Sequence, residues 1–285
     1  MTRQLSGRDV ARALLADAAE RSARLRGRGV VPTLCTVRRG EAGDDVAYER
    51  GIASRCEAAG VALRRVALPG DCPLDELVAA VRTAAEDPTV HGVLVFRPLP
   101  AGWERACAAV LPAEKDVDCM TDACTLSALS GDGAGFSPCT PEAVLALLDH
   151  YGVPLAGARA CVVGRSAVVG RPLALMLCDR DATVTLCHSR TRDLAAACRG
   201  ADVVVCAAGR AGLVGEGCLR DGQVVVDVGT NWDASAGRLV GDVDPAAAQG
   251  LDLRITPVPG GVGAVTTAVL ATHVVQAAER SATHG

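Results

Sequence analysis

The chain has 285 residues, of which 49% are hydrophobic, and a formal net charge of −4 at pH 7. A chain of this length lies where one hydrophobic core tends to divide into two, so two domains are expected. Acidic and basic residues are interspersed and only 2% of residues are aromatic, which argues against a nucleic-acid partner and favours a small-molecule substrate.

No segment reaches the roughly 18 apolar residues that a membrane span needs, and the N-terminus MTRQLSGRDV contains no signal-peptide core. We therefore expect a cytoplasmic protein with no membrane partner. The 13 cysteines form no Cys-x-x-Cys pair and accompany no histidine cluster at ligand spacing. Free, mostly buried thiols fit this pattern better than a disulfide framework or a zinc site, so no metal is expected.

The first half of the chain alternates helical and strand-like patterns. Helical spacing of apolar residues over 7–26 precedes the strand-like VVPTLCTV, and a second helical pattern covers 45–59. The strand VALRRVAL, a helix that ends before Pro88 and the short strand VHGVLVF follow. Continuous Val/Leu strands between helices predict a parallel sheet covered on both faces.

A Gly/Ser-rich stretch at residues 130–141, SGDGAGFSPCTP, interrupts this alternation, and we place the domain boundary there. Beyond it a helix is followed by strands at ARACVVG, ATVTLCH, ADVVVCAAG, GQVVVDVG and LRITPV. The prediction is an α/β protein of two domains. Residues 1–137 form an α/β catalytic domain, and residues 138–264 form a Rossmann-like, doubly wound dinucleotide-binding domain. The last helix, in 265–285, is expected to pack back on the first domain.

A glycine-bearing turn, GRSAVVG at residues 164–170, joins strand ARACVVG to the next predicted helix. Such a turn presents backbone N–H groups and the positive end of a helix dipole to a pyrophosphate. The spacing differs from G-x-G-x-x-G, so a plain tight turn is the alternative. The cofactor-binding candidates in this turn are Gly164, Arg165, Ser166, Val169 and Gly170.

The residues after the next strand bear on the choice of dinucleotide. An NAD enzyme usually carries an acid there for the ribose 2'-hydroxyl. This chain has His188, Ser189 and Arg190 instead, with no carboxylate to repel a 2'-phosphate and with donors to bind it. We therefore expect NADP; the alternative is a polar loop that caps a helix.

Two further motifs end strands, where open α/β sheets bind their ligands. DVGTN adds Thr230 to the cofactor candidates, and TPVPGGVG adds Pro259, Gly260 and Gly261 to the substrate-binding candidates. Glycines at these positions would let the backbone approach a nicotinamide or substrate ring closely.

Together with PLP at 98–100, KDVD at 115–118 and PCTP at 138–141, these motifs span nearly the whole chain. In order and spacing, the chain resembles the bifunctional methylenetetrahydrofolate dehydrogenase/cyclohydrolase family. The resemblance implies a folate-binding catalytic domain, an NADP-binding domain, an active site in the cleft between them and a homodimer.

The resemblance also implies roles for single residues. Arg165 and Ser189 should hold the 2'-phosphate of NADP, and Asp118 should bind the pterin end of folate. The turn at Gly260 and Gly261 should line the cleft near the hydride path.

The substrate half departs from the family pattern, which reads G-x-x-x-A-S-x-x-Y-V-x-x-K in the helix after the first strand. Tyr48 keeps the tyrosine that packs on substrate, Asp45 replaces the serine, and Ile52 replaces the catalytic lysine. Phe96 replaces the glutamine of the family's V-Q-x-P-x-P turn, and Cys119 replaces the glycine after KDVD. These changes point to an altered substrate pocket.

Two arginines could replace the lost lysine. Arg55 lies seven residues after Tyr48, two turns away, and Arg97 points to the opposite side of its strand if that strand stays extended. We interpret both as surface charges.

The two reactions of the family make different demands. Nitrogen lone pairs stabilise the iminium cation that hydride removal leaves, so positioning can suffice, whereas hydrolysis of that cation needs activated water and proton transfer. With Tyr48 and Asp118 kept but Ile52 and Phe96 at the proton-handling positions, we expect a dehydrogenase with weak or lost cyclohydrolase activity. The alternatives are a reductase or hydrolase acting on a non-folate cyclic imine, and a non-catalytic NADP- or folate-binding homologue.

Overall fold

The computed structural model of the protein describes residues 2–234 and 237–284, except for the side chains of Asp44 and His284. In this part of the chain the strands are β1 (Arg3–Gln4), β2 (Thr33–Arg39), β3 (Ala62–Leu68), β4 (Gly92–Val95), β5 (Arg159–Val163), β6 (Thr183–Cys187), β7 (Val203–Cys206), β8 (Val224–Asp227), β9 (Asn231–Asp233), β10 (Arg238–Val240) and β11 (Arg254–Ile255). The helices are α1 (Gly7–Gly27), α2 (Gly43–Ala58), α3 (Leu74–Glu86), α4 (Trp103–Ala108), α5 (Asp122–Ser130), α6 (Cys139–His150), α7 (Gly170–Cys178), α8 (Leu194–Gly200) and α9 (Val262–His284).

The chain divides into two compact units. The small-sheet unit comprises Arg12–Cys139 and the residues from Thr267 onward. The large-sheet unit comprises the residues up to Ala11 and Thr140–Thr266. The chain therefore passes from one unit to the other within α1, near the start of α6 and within α9.

The small-sheet unit contains a parallel sheet of order β3-β2-β4. The chain winds from β2 through α2 to β3 on one side, then through α3 to β4 on the other side of β2. Every residue of β4 is buried, as expected of a strand covered on both faces. Because the winding reverses between β2 and β4, a crevice opens at the carboxyl ends of these two strands, where α/β sheets bind ligands.

The large-sheet unit contains a six-stranded parallel sheet of order β1-β11-β8-β7-β5-β6. Strand β6 lies on one side of β5, and β7, β8 and β11 follow on the other, so the winding reverses between β5 and β7. Strands β9 and β10 form a separate antiparallel hairpin. This doubly wound parallel sheet confirms the predicted Rossmann-like fold class.

The first residues lie elsewhere than predicted. Residues 1–137 were assigned to the first domain, but residues 2–11 belong to the large-sheet unit. The reason is that β1 pairs in parallel with β11, and the amide of Gly7 donates to the carbonyl of Gly260 at 2.9 Å. The two residues of β1 are too few to show a periodic pattern in the sequence.

At the other end of the chain, the later part of α9 belongs to the small-sheet unit. His273 is 1% exposed there, with Nδ1 lying 2.9 Å from the carbonyl oxygen of Val117. No helix of the described residues is long and apolar enough to cross a membrane. All 13 cysteines are free thiols, and among them only Cys178 is exposed.

Candidate active site

The glycine-bearing turn lies at the carboxyl end of β5, at the reversal point of the large sheet. Gly164 has a φ of 124°, and a Cβ there would lie within 3.0 Å of the carbonyl oxygen of Ala207 at the end of β7. A Cβ on Gly170 would come equally close to the carbonyl oxygen of Gly164. Both positions therefore require glycine, because the turn packs directly on β7 and on the start of α7.

Ser166 caps the start of α7. Its Oγ accepts hydrogen bonds from the amides of Val169 at 3.1 Å and Gly170 at 3.3 Å. Val169 and Gly170 were predicted to bind the cofactor through this turn, but their amides are satisfied within the protein. Ser166 can still donate its hydroxyl hydrogen to a ligand.

A cavity of about 360 Å³ opens at the carboxyl ends of β5, β6 and β7. Five of the predicted cofactor residues line it, namely Gly164, Arg165, Ser166, His188 and Ser189. The other four are not among the lining residues that the structure describes, namely Val169, Gly170, Arg190 and Thr230. The described lining contains no carboxylate, so a 2'-phosphate would meet arginine and hydroxyl groups without like-charge repulsion.

The loop after β6 is held by its own hydrogen bonds. The amide of His188 donates to Thr191 Oγ1 at 2.8 Å, and the amide of Arg190 donates to His188 Nδ1 at 3.1 Å. Asp193, rather than these residues, caps α8 by accepting from the amide of Ala196 at 2.8 Å. The helix is therefore capped by Asp193 and not by the polar loop of His188, Ser189 and Arg190. Ser189 is exposed at the cavity.

Sequence reasoning missed two functional residues here, one in the cavity lining and one that supports it. Arg210 lines it directly after β7, and its position at a strand end is the same signal that identified Ser189. Asp242 is fully buried and accepts from the amides of residues 208–210 at 2.6 to 3.0 Å. Asp242 therefore holds the loop that carries Arg210, a long-range contact that no local pattern reveals.

The turn at Pro259, Gly260 and Gly261 packs against the start of α1. Gly260 has a φ of 103°, and a Cβ on Gly7 would lie within 3.0 Å of the carbonyl oxygen of Gly261. Backbone packing within the large-sheet unit is therefore sufficient to explain these glycines, without close contact to a ligand.

A second cavity, of about 340 Å³, is lined by the first turns of α2, the carboxyl end of β4 and Asp118. It brings together four of the predicted substrate-pocket residues, namely Asp45, Tyr48, Phe96 and Asp118. The rings of Tyr48 and Phe96 meet edge to face with their centroids 5.7 Å apart. Aromatic surface beside two carboxylates suits a flat, hydrogen-bonding heterocycle.

Two of the altered positions do not face this cavity. Ile52 is 1% exposed and is not among the described lining residues. Cys119 occupies a left-handed conformation with a φ of 55°, which explains why the family pattern has glycine at this point.

Tyr48 can serve as a hydrogen-bond donor. Desolvation of the phenol by its neighbours and the carboxylate of Asp118 raise the pKa of Tyr48 above its ordinary value, although the residue is 43% exposed. The hydroxyl therefore stays protonated at neutral pH and is a poor general base.

The interpretation of Arg97 as a surface charge is wrong. Strand β4 ends at Val95, so the chain is no longer extended at Arg97, whose side chain turns into the cavity. Its Nη2 donates to Asp118 Oδ2 at 2.8 Å, and the two side chains are 21% and 25% exposed. The altered pocket therefore contains a cation. Strand alternation had predicted that this side chain points to the opposite side of the sheet.

A buried ionic contact anchors α2 to β2. Glu49, next to Tyr48, is 8% exposed, and its Oε1 accepts from Thr36 Oγ1 at 2.8 Å. Its other carboxylate oxygen lies 3.6 Å from Arg38 Nε. This contact holds the helix that carries Tyr48 against the sheet.

Two family models cover most of the chain. Residues 5–118 match the tetrahydrofolate dehydrogenase/cyclohydrolase catalytic domain, and residues 138–282 match the tetrahydrofolate dehydrogenase/cyclohydrolase NAD(P)-binding domain. Bifunctional protein FolD of Parafrankia sp. (strain EAN1pec) is 48% identical over 279 residues, covering 97% of this chain and 99% of the relative. Bifunctional protein FolD 1 of Desulfitobacterium hafniense is 42% identical over 278 residues, with coverage of 97% and 99%.

Solved structures agree over the same length. The bifunctional FolD enzyme of Campylobacter jejuni superimposes with a TM-score of 0.93 at 34% identity, covering 98% of this chain and 99% of that one. The Trypanosoma brucei enzyme, solved with NADP cofactor and an inhibitor, has a TM-score of 0.91 at 35% identity, with coverage of 99% and 98%.

The fold and the two cavities define a two-unit α/β oxidoreductase with one dinucleotide-binding unit. The family matches make the class specific: the chain belongs to the tetrahydrofolate dehydrogenase/cyclohydrolase family. They confirm the predicted family, fold and enzyme class, and they give no support to a non-folate imine enzyme or a non-catalytic homologue.

Proposed function

We propose that the protein oxidises 5,10-methylenetetrahydrofolate with NADP as hydride acceptor and has weak or no cyclohydrolase activity. The observation that carries this proposal is the composition of the substrate cavity. Tyr48 and Asp118 line it, whereas Phe96 replaces glutamine in the lining and Ile52 is buried at the lysine position. Groups that hold a folate remain, and groups that exchange protons with water are lost.

The residues of the large-sheet cavity suit NADP. Gly164 lets the turn pack directly on the end of β7 beside the cavity, and Arg165, Ser189 and Arg210 supply donors for a 2'-phosphate. When bound, NADP supplies the hydride acceptor.

The residues of the small-sheet cavity would position the folate. Asp118 would accept from the N–H groups of the pterin edge, and the protonated Tyr48 hydroxyl can donate a hydrogen bond to the substrate. No protein base is needed when hydride leaves the methylene carbon, because the lone pairs of N5 and N10 stabilise the cation. The apolar Phe96 in the lining disfavours the water that hydrolysis requires, and Ile52 supplies no amine to activate it.

Two assays on one purified preparation test the proposed function. We expect methylenetetrahydrofolate-dependent reduction of NADP at an ordinary enzymatic rate, and loss of methenyltetrahydrofolate absorbance no faster than without enzyme. An ordinary rate of hydrolysis would contradict the loss of cyclohydrolase activity. Absence of NADP reduction would contradict the dehydrogenase.

The choice of NADP has its own test. Arg165→Ala should raise KM for NADP about 10- to 100-fold, as expected for the loss of a charge-assisted contact, and should change KM for NAD little. Arg171→Ala is the matched control, because Arg171 is exposed in the same segment but is not among the described residues of the cavity. An equal rise in both KM values for Arg165→Ala would argue against a 2'-phosphate contact.

We further propose a cytoplasmic homodimer. The free thiols of all 13 cysteines suit a reducing compartment. Trp232 and Leu239 lie opposite each other on the β9–β10 hairpin and are 67% and 40% exposed, an apolar pair suited to contact with a second copy. Sedimentation should give a species of twice the chain mass of 29.0 kDa, and a monomer at micromolar concentration would contradict the dimer.

A further inference from the structure

The most unusual group of the small-sheet cavity is the guanidinium of Arg97. It is partly buried, and its Nη2 donates to a single oxygen of Asp118. An arginine side chain has five N–H donors, and no other acceptor of this guanidinium lies within hydrogen-bond distance among the residues that the structure describes. Most of its donors are therefore available to a ligand in the cavity.

The partner carboxylate also keeps free acceptor capacity. Asp118 Oδ2 accepts from Arg97 and Oδ1 accepts from the amide of Cys139 at 3.3 Å. Each carboxylate oxygen has two lone pairs, so one remains on each. The cavity thus presents a carboxylate acceptor and guanidinium donors side by side, next to the rings of Tyr48 and Phe96.

The pterin edge of a folate carries a matching row of groups. A 4-oxo acceptor stands beside the N3–H donor, and the 2-amino donor follows. Asp118 can accept from N3–H and the 2-amino group while the adjacent guanidinium donates to the 4-oxo oxygen. A ligand with donors alone along this edge would leave the remaining donors of Arg97 without an acceptor.

We propose that Arg97 is a specificity-determining residue that selects 4-oxo pteridines by donating to the 4-oxo oxygen beside Asp118. This inference rests on the proposed folate function and adds a residue to it. Arg97 positions the substrate and moves no proton, because a guanidinium stays charged wherever the protein is folded. The cation of this pocket therefore cannot take over the acid/base work of a lysine.

Two ligands that differ at position 4 of the pteridine test the assignment. Folic acid has the 4-oxo group beside N3–H, and its 4-amino analogue has an amino group beside an N3 without hydrogen. At neutral pH, where both pteridine rings are uncharged, the ratio of their Kd values measures recognition of this edge. Because both ligands are measured on the same preparation, the ratio does not depend on the folded fraction.

Arg97→Leu should shift this ratio about tenfold or more toward the 4-amino ligand, because only the 4-oxo ligand loses a charge-assisted hydrogen bond. Arg97→Lys, which keeps a cation, should retain part of the preference. Arg55→Leu is the matched control, since Arg55 is not among the described residues lining the cavity, and should leave the ratio unchanged.

An unchanged ratio in Arg97→Leu, or an equal shift in Arg55→Leu, would overturn the assignment. The proposed function is judged separately by NADP reduction with methylenetetrahydrofolate in the wild-type protein. Turnover by the wild type together with an unchanged Kd ratio in Arg97→Leu would contradict only the role of Arg97. Absence of turnover would contradict the proposed function itself.

Discussion

Replacing Ile52 by lysine and Phe96 by glutamine together should create cyclohydrolase activity. Position 52 follows Tyr48 by four residues, so both side chains lie on one face of α2, and a helical side chain leans toward the N-terminus. The amine of Ile52→Lys would therefore extend toward the tyrosine that lines the cavity. Phe96→Gln replaces an apolar lining group by a polar one.

The expected gain in methenyltetrahydrofolate hydrolysis is about 100-fold, the lower end of what a positioned acid/base group contributes. A lysine at a position that is 1% exposed requires compensation for its buried charge. Glu49, three residues earlier and also buried, can provide it. The two substitutions should therefore lower stability without preventing folding.

The matched control is Ile52→Met with Phe96→Gln, which has a long unbranched side chain but no amine. We expect this variant to hydrolyse methenyltetrahydrofolate no faster than the wild type. A cooperative thermal unfolding transition checks that the lysine and methionine variants are both folded. If both are folded and hydrolyse methenyltetrahydrofolate at the same rate, position 52 does not control proton transfer in this protein.

The second large effect is expected from Gly164→Ala. The backbone there has a φ of 124°, a conformation that is essentially restricted to glycine, and the new methyl group would overlap the carbonyl of Ala207. Relief would require β5 and β7 to separate at the point where the dinucleotide cavity opens. We expect a loss of about 3 kcal/mol or more in the free energy of unfolding and no measurable NADP binding.

Gly200→Ala is the control for this substitution. Gly200 ends α8 in the same unit, and a Cβ there would meet no atom within 4 Å. Its stability should be unchanged or about 0.5 kcal/mol higher, because alanine restricts the unfolded chain more than glycine does. Equal stability of the two variants in urea unfolding would refute the packing requirement at Gly164.

The alternation of helices and Val/Leu strands was sufficient to predict two parallel α/β sheets. The family resemblance predicted the side chains of the substrate pocket, and the residues at strand ends predicted those of the dinucleotide cavity. Asp45, Tyr48, Phe96 and Asp118 line one cavity, and Gly164, Arg165 and Ser189 line the other. The physical reason is that parallel strands present their carboxyl ends at one edge, so residues distant in sequence converge there.

Contacts between distant segments were not predictable in this way. The side of the sheet that Arg97 faces depends on β4 ending at Val95, and the alternation rule holds only while a strand remains extended. The burial of Asp242 under the amides of residues 208–210 depends on packing between β7 and the segment after β10. Neither arrangement leaves a periodic signal.

Residue types and their spacing were enough to predict the family, the α/β class, the dinucleotide turn and the loss of lysine and glutamine from the substrate half. These features are local, because they are encoded in short stretches of the chain. Three other features became visible only in the folded protein: β1 pairs with β11, Ile52 is buried, and Arg97 contacts Asp118 in the pocket. Those outcomes depend on which surfaces pack together, and packing is a property of the whole folded unit.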